Sequence, residues 1–451
     1  MRNQTPRTEE PLEPLAEPPA LEGRWTICAM LFVATTINYV DRTVLSVLKP
    51  TLDGQVHQLQ PFFSGWPAFE TRILVTDHAY GYILGAFQFA YALGVVFAGR
   101  LVDRIGCRKG YPLVTGIWSL AAVSHAFVRS VLGFGIARFF LGLGESGNFP
   151  AAIKATAEWF QPRERALATG IFNSGAGVGA IVAPIMVPIV ALHFGWRASF
   201  LVTGFFSVAW IVWWSLRYRR PHETMDWTRG HVVAAPPADV FPWWRLLRYR
   251  QAWAFMVGKF LTDPVWWFFL FWLPQYFHSR FALDLTHMGP PLVAVYVVST
   301  IGSVYGGWLP KGYLRMGMDL KRARLAAMLT CACCVLPVVT AGSLGSQWIA
   351  IAFLSLAAAA HQGWSANIFT TVSDMFPSEH VGTVVSFGQV AGALGGAIFQ
   401  PIAGDILQRA RENHTQSGFV PLFVYSGCAY LIALVLLRTL APGLRRAELE
   451  P

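Results

Sequence analysis

Apolar residues in this chain do not alternate with polar ones; they run in long blocks. Twelve blocks stand at about 24–48, 78–101, 110–129, 132–160, 165–193, 197–219, 251–279, 287–314, 321–342, 345–375, 379–409 and 417–440. An α-helix needs about 20 apolar residues to cross the hydrocarbon of a bilayer. Buried strands rarely exceed about eight residues, and the strands of a membrane barrel alternate over about ten. The pattern therefore predicts an all-α membrane protein with twelve transmembrane helices. Between the sixth and seventh blocks, residues 220–250 are polar, basic and contain prolines, a linker that divides the chain into two six-helix halves, 24–219 and 251–440. Residues 1–23 are rich in Pro and Glu and lack the apolar core of a signal peptide, so they read as a disordered tail, with a second short tail at 441–451.

Composition agrees with the pattern. The chain is 54% hydrophobic and only 13% charged, against about 25% charged in a soluble domain. A cytosolic enzyme, a disulfide scaffold and a disordered chain are excluded. The net charge of +10 would suggest nucleic acid in a soluble protein, but position explains it here. With the N-terminus in the cytoplasm, the inside loops collect Arg100, Arg104, Arg108, Lys109, Arg163, Arg165, the 217–250 arginines and the 311–324 cluster. The outside loops hold only Lys49, Arg72, Arg129, Arg197, Arg280, Arg409 and Arg411, so the inside excess is about threefold and both termini are cytoplasmic. No nucleic-acid partner is needed. Of the six cysteines only Cys331 and Cys334 have C-x-x-C spacing, inside an apolar span with no second cysteine or histidine pair to complete a site, so no metal and no cofactor are expected. Nucleotide-binding loops and hydrolase signatures are missing too, which argues against a pump or an enzyme.

The halves resemble each other weakly. GRLVDRIGCRKG (99–110) follows the second span, and GGWLPKGYLRMGMDLKRAR (306–324) follows the eighth. NSGAGVGAIVAP (173–184) lies in the fifth span and GQVAGALGGAIFQP (388–401) in the eleventh, small residues that let helices approach closely, each run ending in a bending proline. Two related halves around a cavity are a transporter plan. In the first loop Gly99 and Gly106 permit close packing and a tight turn, and Asp103 can pair with Arg104 or Arg108 beside Lys109. That describes a gating latch, or simply a charged connection.

Charges inside spans cost about 2.5–3.5 kcal/mol each at a helix centre and need a reason. Asp41 and Arg42 are adjacent and point about 100° apart, so one can line a cavity while the other faces a neighbouring helix. Arg138 and Glu145 are seven apart, on one face. Lys259 and Asp263 can close a salt bridge along their own helix. His125 and His361 read as hydrogen-bonded core residues. The three cations and three carboxylates balance, so an anionic substrate needs one cation released by protonating a carboxylate, the simplest coupling of an anion to a proton. Internal salt bridges that only fix packing are the alternative. Trp266, Trp267, Phe268, Phe269, Phe271 and Trp272 can stack on a sugar-like skeleton, or face lipid. Gln88, Tyr91, Asn173, Gln362, Asn367, Thr370, Thr371, Ser373 and Gln389 are hydroxyl readers or helix–helix glue.

NYVDRTVLSVLKPTL, GRLVDRIGCRKG, RFFLGLGESGNFPAAIKATAEWF, GKFLTDPVWWFFLFWLPQYF and HQGWSANIFTTVSDMFP together carry a resemblance to a known family. The chain resembles the anion:cation symporter family of the major facilitator superfamily, most of all the bacterial hexuronate and sugar-acid transporters, from about Arg24 to Leu440. The resemblance implies proton-driven uptake of an organic anion at the bacterial inner membrane by a monomer. It implies that Arg42 binds the substrate carboxylate, that Asp41 and Glu145 are the protonatable pair, and that Arg138 tunes Glu145. It implies substrate contacts from Tyr39 and Tyr91, with Gln389 where the sugar-acid branch has an asparagine, Asn367 among the hydroxyl readers and Lys259 as a second anion contact. Ala176 departs from the galactonate-type branch, which has a glutamine there. The first outside loop, about 53–77, is long and holds Pro61, Phe62, Phe63, Trp66 and Pro67. A sodium-coupled or uncoupled carrier, and a non-transporting receptor, remain as alternatives, the latter disfavoured by tails too short for a signalling domain.

Overall fold

The computed structural model describes residues 21–55, 73–219, 242–415 and 417–448. The long first loop with its aromatic cluster, most of the N-terminal tail and most of the 220–250 linker lie outside the described residues; the end of that linker is a 3-10 turn, Trp243–Arg248.

Among the described residues thirteen α-helices make twelve crossings. They are α1 (Arg24–Pro50), α2 (Asp77–Ile105), α3 (Cys107–Ser124), α4 (Val131–Glu145), α5 (Asn148–Trp159), α6 (Pro162–Phe194), α7 (Trp196–Arg217), α8 (Arg250–Phe281), α9 (Gly289–Arg315), α10 (Leu320–Val335), α11 (Gln347–Met375), α12 (Ser378–Glu412) and α13 (Phe419–Leu440). Among the described residues ten helices are long and apolar enough to cross a membrane alone; α3 and the α4–α5 pair supply the other two crossings. The fourth block, expected as one helix, is broken at Ser146–Gly147. Ser146 Oγ bonds back to the Leu143 carbonyl at 2.7 Å, a contact that bends helices, and a Cβ on Gly147 would sit 2.7 Å from Val114 Cγ1.

Each half repeats one packing scheme. In the first, α1 packs on α6, α2 on α4 and α3 on α7; in the second, α8 packs on α12, α9 on α11 and α10 on α13. The two small-residue runs explain the first pair of each set. A Cβ on Gly175 or Gly179 would lie 2.5 Å from a carbonyl oxygen of α1, and one on Gly395 would lie 2.3 Å from the Phe260 carbonyl of α8. The halves meet along α2–α12, α6–α9 and α1–α8. Around them stands a belt of exposed apolar side chains, with Leu120 72%, Leu216 74% and Val304 76% accessible, a surface suited to lipid rather than to water.

The two ends of this assembly differ. Where α1 hands over to α2, the halves are in contact: His78 bonds Asp405 at 2.6 Å, and a Cβ on Gly81 would fall 2.6 Å from the Gln400 carbonyl. At the opposite end α2 turns into α3 at Gly106, whose φ of +76° glycine adopts at no steric cost. There Gly99 has only Pro150 of its own half within 4.0 Å, and Gly170 on α6 and Gly307 on α9 face open space. The halves touch at the first end, called closed below; at the other, called open, these three glycines meet no residue of the opposite half.

Candidate functional site

Arg42, on α1 midway through the bundle, organises the site. Its side chain is 3% exposed, and its Nε donates to Glu145 Oε2 at 2.8 Å. A second nitrogen reaches Asn38 Oδ1 at 3.3 Å. Four rings surround the guanidinium carbon: Tyr39 at 4.7 Å, Trp267 at 4.8 Å, Tyr91 at 5.1 Å and Phe87 at 5.5 Å. Such a cage stabilises a desolvated cation by about 0.5–2 kcal/mol per good contact. It draws on α1, α2 and α8, so both halves contribute.

The seven-residue spacing of Arg138 and Glu145 brings both to Arg42. Glu145 pairs with Arg42, whereas Arg138 NH1 donates to the Arg42 backbone carbonyl at 3.0 Å. Arg138 makes no hydrogen bond to Glu145 among the described residues and acts on that carboxylate through its charge alone; helix α4 ends at Glu145 and delivers its carboxylate to α1. A Cβ on Gly142 would sit 2.3 Å from the Phe87 carbonyl, so that glycine lets α4 lie close enough to α2 for the reach. Glu145 Oε1 and Arg138 Nε and NH2 are buried without a hydrogen-bond partner among the described residues.

Asp41 faces the other way, as adjacent helical positions require. Its Oδ2 accepts from Ser207 of α7 at 3.4 Å, and Oδ1 has no partner among the described residues. It sits 2% exposed on the wall between α1 and α7. Around Arg42 the N-terminal half thus gathers two cations and two carboxylates, with hydrogen-bonding capacity left over on Arg138, Glu145 and Asp41.

In the C-terminal half Lys259 and Asp263 do close along α8, at 2.8 Å, with side chains 5% and 14% exposed. Lys259 Nζ also stands 4.4 Å from the Phe369 ring centre. Asp263 fills the space a side chain on Gly392 would need. Gln389 is half-buried on α12, three residues before that glycine. Asn367 is committed elsewhere: its amide nitrogen donates to the Gly306 and Gly363 carbonyls, both at 2.8 Å. Through its amide nitrogen it clips α11 to α9, the helix–helix role that was the alternative to reading substrate hydroxyls. His361 bonds Tyr430 at 2.6 Å and stacks on Trp266; His125 bonds the Ala121 carbonyl at 2.7 Å and stacks on Phe200. Of the α8 aromatics, Phe268, Phe269, Phe271 and Trp272 are wholly buried and Trp267 is 8% exposed, so none of these five faces lipid.

The candidate gating loop joins α2 to α3 at the open end, with Arg104, Arg108 and Lys109 exposed; the Asp103 side chain lies outside the described residues. At the closed end stands a cluster that the sequence reading treated only as loop charge. Lys49, 0% exposed, pairs with Asp53 at 3.1 Å and Asp77 at 2.8 Å. Asp53 also accepts from Arg411 of α12 at 2.5 Å and Gln275 of α8 at 3.4 Å. The i, i+4 spacing of Lys49 and Asp53 was the available signal.

A sequence profile described as the Major Facilitator Superfamily matches residues 31–400. The chain belongs to the Major Facilitator Superfamily. Among relatives, it is 25% identical over 411 residues to the hexuronate transporter of Escherichia coli K12, covering 89% of this chain and 90% of that one. It is 26% identical to the galacturonate transporter of Dickeya chrysanthemi, covering 74% and 95%. In fold it matches a D-xylose–proton symporter (TM-score 0.72, 14% identity, 94% and 99% covered) and a bacterial homologue of the lysosomal transporter Spinster (TM-score 0.69, 18% identity, 94% and 97% covered). The superfamily's twelve-helix, two-half architecture is the one described above, and this member is a multi-pass membrane transporter rather than an enzyme.

Proposed function

We propose that this transporter imports a sugar-acid anion, in particular a hexuronate, together with protons across the bacterial inner membrane, with both termini in the cytoplasm. The observation that carries this reading is the buried Arg42–Glu145 pair inside a cage of four aromatic rings. Without substrate, Glu145 neutralises Arg42. A substrate carboxylate can take the guanidinium only if Glu145 gives it up, because two carboxylates on one buried cation leave a net negative charge in low dielectric. Protonating Glu145 removes that conflict. Empty carrier and loaded carrier are then both charge-balanced, and the half-loaded forms, proton alone or anion alone, are not.

Tyr39, Tyr91 and Trp267 offer ring faces and phenol hydroxyls to the carbon skeleton of the anion. Asp41, with an open carboxylate oxygen, is the second protonatable group, and Arg138 holds its charge in balance. The Lys49–Asp53–Arg411 cluster closes the periplasmic end in the conformation described, while the Gly99–Lys109 connection latches the cytoplasmic end when the halves rock. Relatives that carry hexuronate and galacturonate support the substrate class.

The test is uptake of labelled D-glucuronate and D-galacturonate into proteoliposomes under an inward proton gradient, a sodium gradient and no gradient. The expected result is accumulation with protons only, abolished by Arg42→Ala. Accumulation driven by sodium, or equilibration indifferent to both gradients, contradicts the proton coupling. No flux of either acid contradicts the substrate class.

A further inference from the structure

Gln88 is the one side-chain amide among the described residues that is 0% exposed and has both its oxygen and its nitrogen buried without a hydrogen-bond partner. A buried polar group left unsatisfied costs about 1–3 kcal/mol, and native structures rarely keep one without a reason. Here the donor and the acceptor of a single carboxamide are both open.

Its position says what would satisfy them. Gln88 follows Phe87 of the Arg42 cage on α2 and lies three residues before Tyr91, a second member. Across the half–half interface it rests on Gly396 of α12. A Cβ there would come 3.1 Å from Gln88 Cδ and 3.3 Å from Trp267 Cδ1, so that glycine keeps the carboxamide and the indole side by side. Outward of this layer the same interface is already satisfied or packed shut: Gln400 Oε1 accepts from Trp272 at 2.7 Å, and Gly85 is closed over by Pro401. The Gln88 amide is therefore the innermost polar group of the closed end, beside the indole that faces Arg42.

We propose that Gln88 is a specificity-determining residue that reads vicinal hydroxyls of the substrate, its Nε2 donating to one and its Oε1 accepting from the next. This rests on the sugar-acid reading above and sharpens it: the site selects polyhydroxy carboxylates over carboxylates of the same size without hydroxyls.

The test is competition binding to purified transporter, comparing D-glucuronate with cyclohexanecarboxylate, whose ring carries the carboxylate and no hydroxyls. Gln88→Leu keeps the side-chain bulk and removes both polar atoms. It should weaken glucuronate about tenfold, the loss of two hydrogen bonds, leave cyclohexanecarboxylate within about twofold, and so collapse the ratio of the two constants. The thermal midpoint without ligand should hold or rise, since two unsatisfied groups are gone; this readout separates lost recognition from misfolding. An unchanged ratio, or equal weakening of both acids, overturns the role of Gln88 while leaving the sugar-acid reading intact. If Gln88→Leu does not fold, Gln88→Met is the second variant, which keeps the unbranched length, removes both polar atoms and is expected to lose most of the same ratio; retention of the full ratio overturns the proposal. Wild-type protein that binds cyclohexanecarboxylate as tightly as glucuronate overturns both.

Discussion

The two halves repeat one packing scheme and use their buried charges in opposite ways. Midway through the N-terminal half four charges come from α1 and α4, apart from the Lys49 cluster at the closed end, and the central pair joins residues 103 positions apart in sequence. Hydrogen-bonding capacity is left on Asp41, Arg138 and Glu145. In the C-terminal half Lys259 and Asp263 sit four apart on one helix and satisfy each other at 2.8 Å, and Asn367 and His361 are engaged by their neighbours. A pair closed within one helix can form without the rest of the fold. A pair closed between helices can be opened by moving one of them or by changing one proton. On the proposed mechanism the exchangeable charge lies in the first half and the α8 pair of the second is its support.

That contrast can be broken most severely at Lys259. If the α8 pair is support, Lys259→Met or Asp263→Leu alone strands a buried charge and destabilises the protein by about 3–5 kcal/mol. The double variant Lys259→Met/Asp263→Leu should recover most of that loss and keep glucuronate KM within about threefold, as read from thermal melting and uptake kinetics. A double variant that melts normally but no longer transports makes Lys259 a second anion contact after all and erases the difference between the halves. A smaller effect sharpens the comparison at Asn367. Replacing it with Leu should cost about 0.6–1.7 kcal/mol, the scale of interhelical hydrogen bonds in membranes, with KM unchanged; a KM raised tenfold without loss of thermal stability makes it a reader of substrate.

How much of this was legible in the sequence depends on the range of each interaction. The twelve apolar blocks, the seven-residue step from Arg138 to Glu145 and the four-residue step from Lys259 to Asp263 are local, and helical geometry is enough to read them. The divergence of Asp41 and Arg42 is local too, and the structure sends them to α7 and to α4. The choice of partner for Glu145 is not local. Charge balance allowed Arg42 or Arg138 equally, and the outcome depends on how closely α4 approaches α2, which is set by a glycine contact with the Phe87 backbone. The Asn367 clip was hidden for a related reason: its two acceptors, at Gly306 and Gly363, become neighbours only when α9 and α11 pack. The break in the fourth span falls in the Glu145-Ser-Gly-Asn148 stretch, whose polar residues read as site chemistry rather than as a helix end, and the Lys49 cluster was hidden by sorting charges into loops without asking which of them meet.

On the proposed mechanism the substrate carboxylate and the Glu145 carboxylate compete for Arg42, and a proton on Glu145 decides the competition for the substrate. Calorimetry of D-glucuronate binding in buffers of different ionisation enthalpy tests it most directly, because the dependence on buffer counts protons taken up with the ligand. Near neutral pH the account predicts uptake of about one proton per glucuronate bound by the wild-type transporter, with affinity rising as pH falls, and loss of both in Glu145→Gln with binding retained. Binding enthalpy that is the same in every buffer, in wild type as in Glu145→Gln, would contradict it.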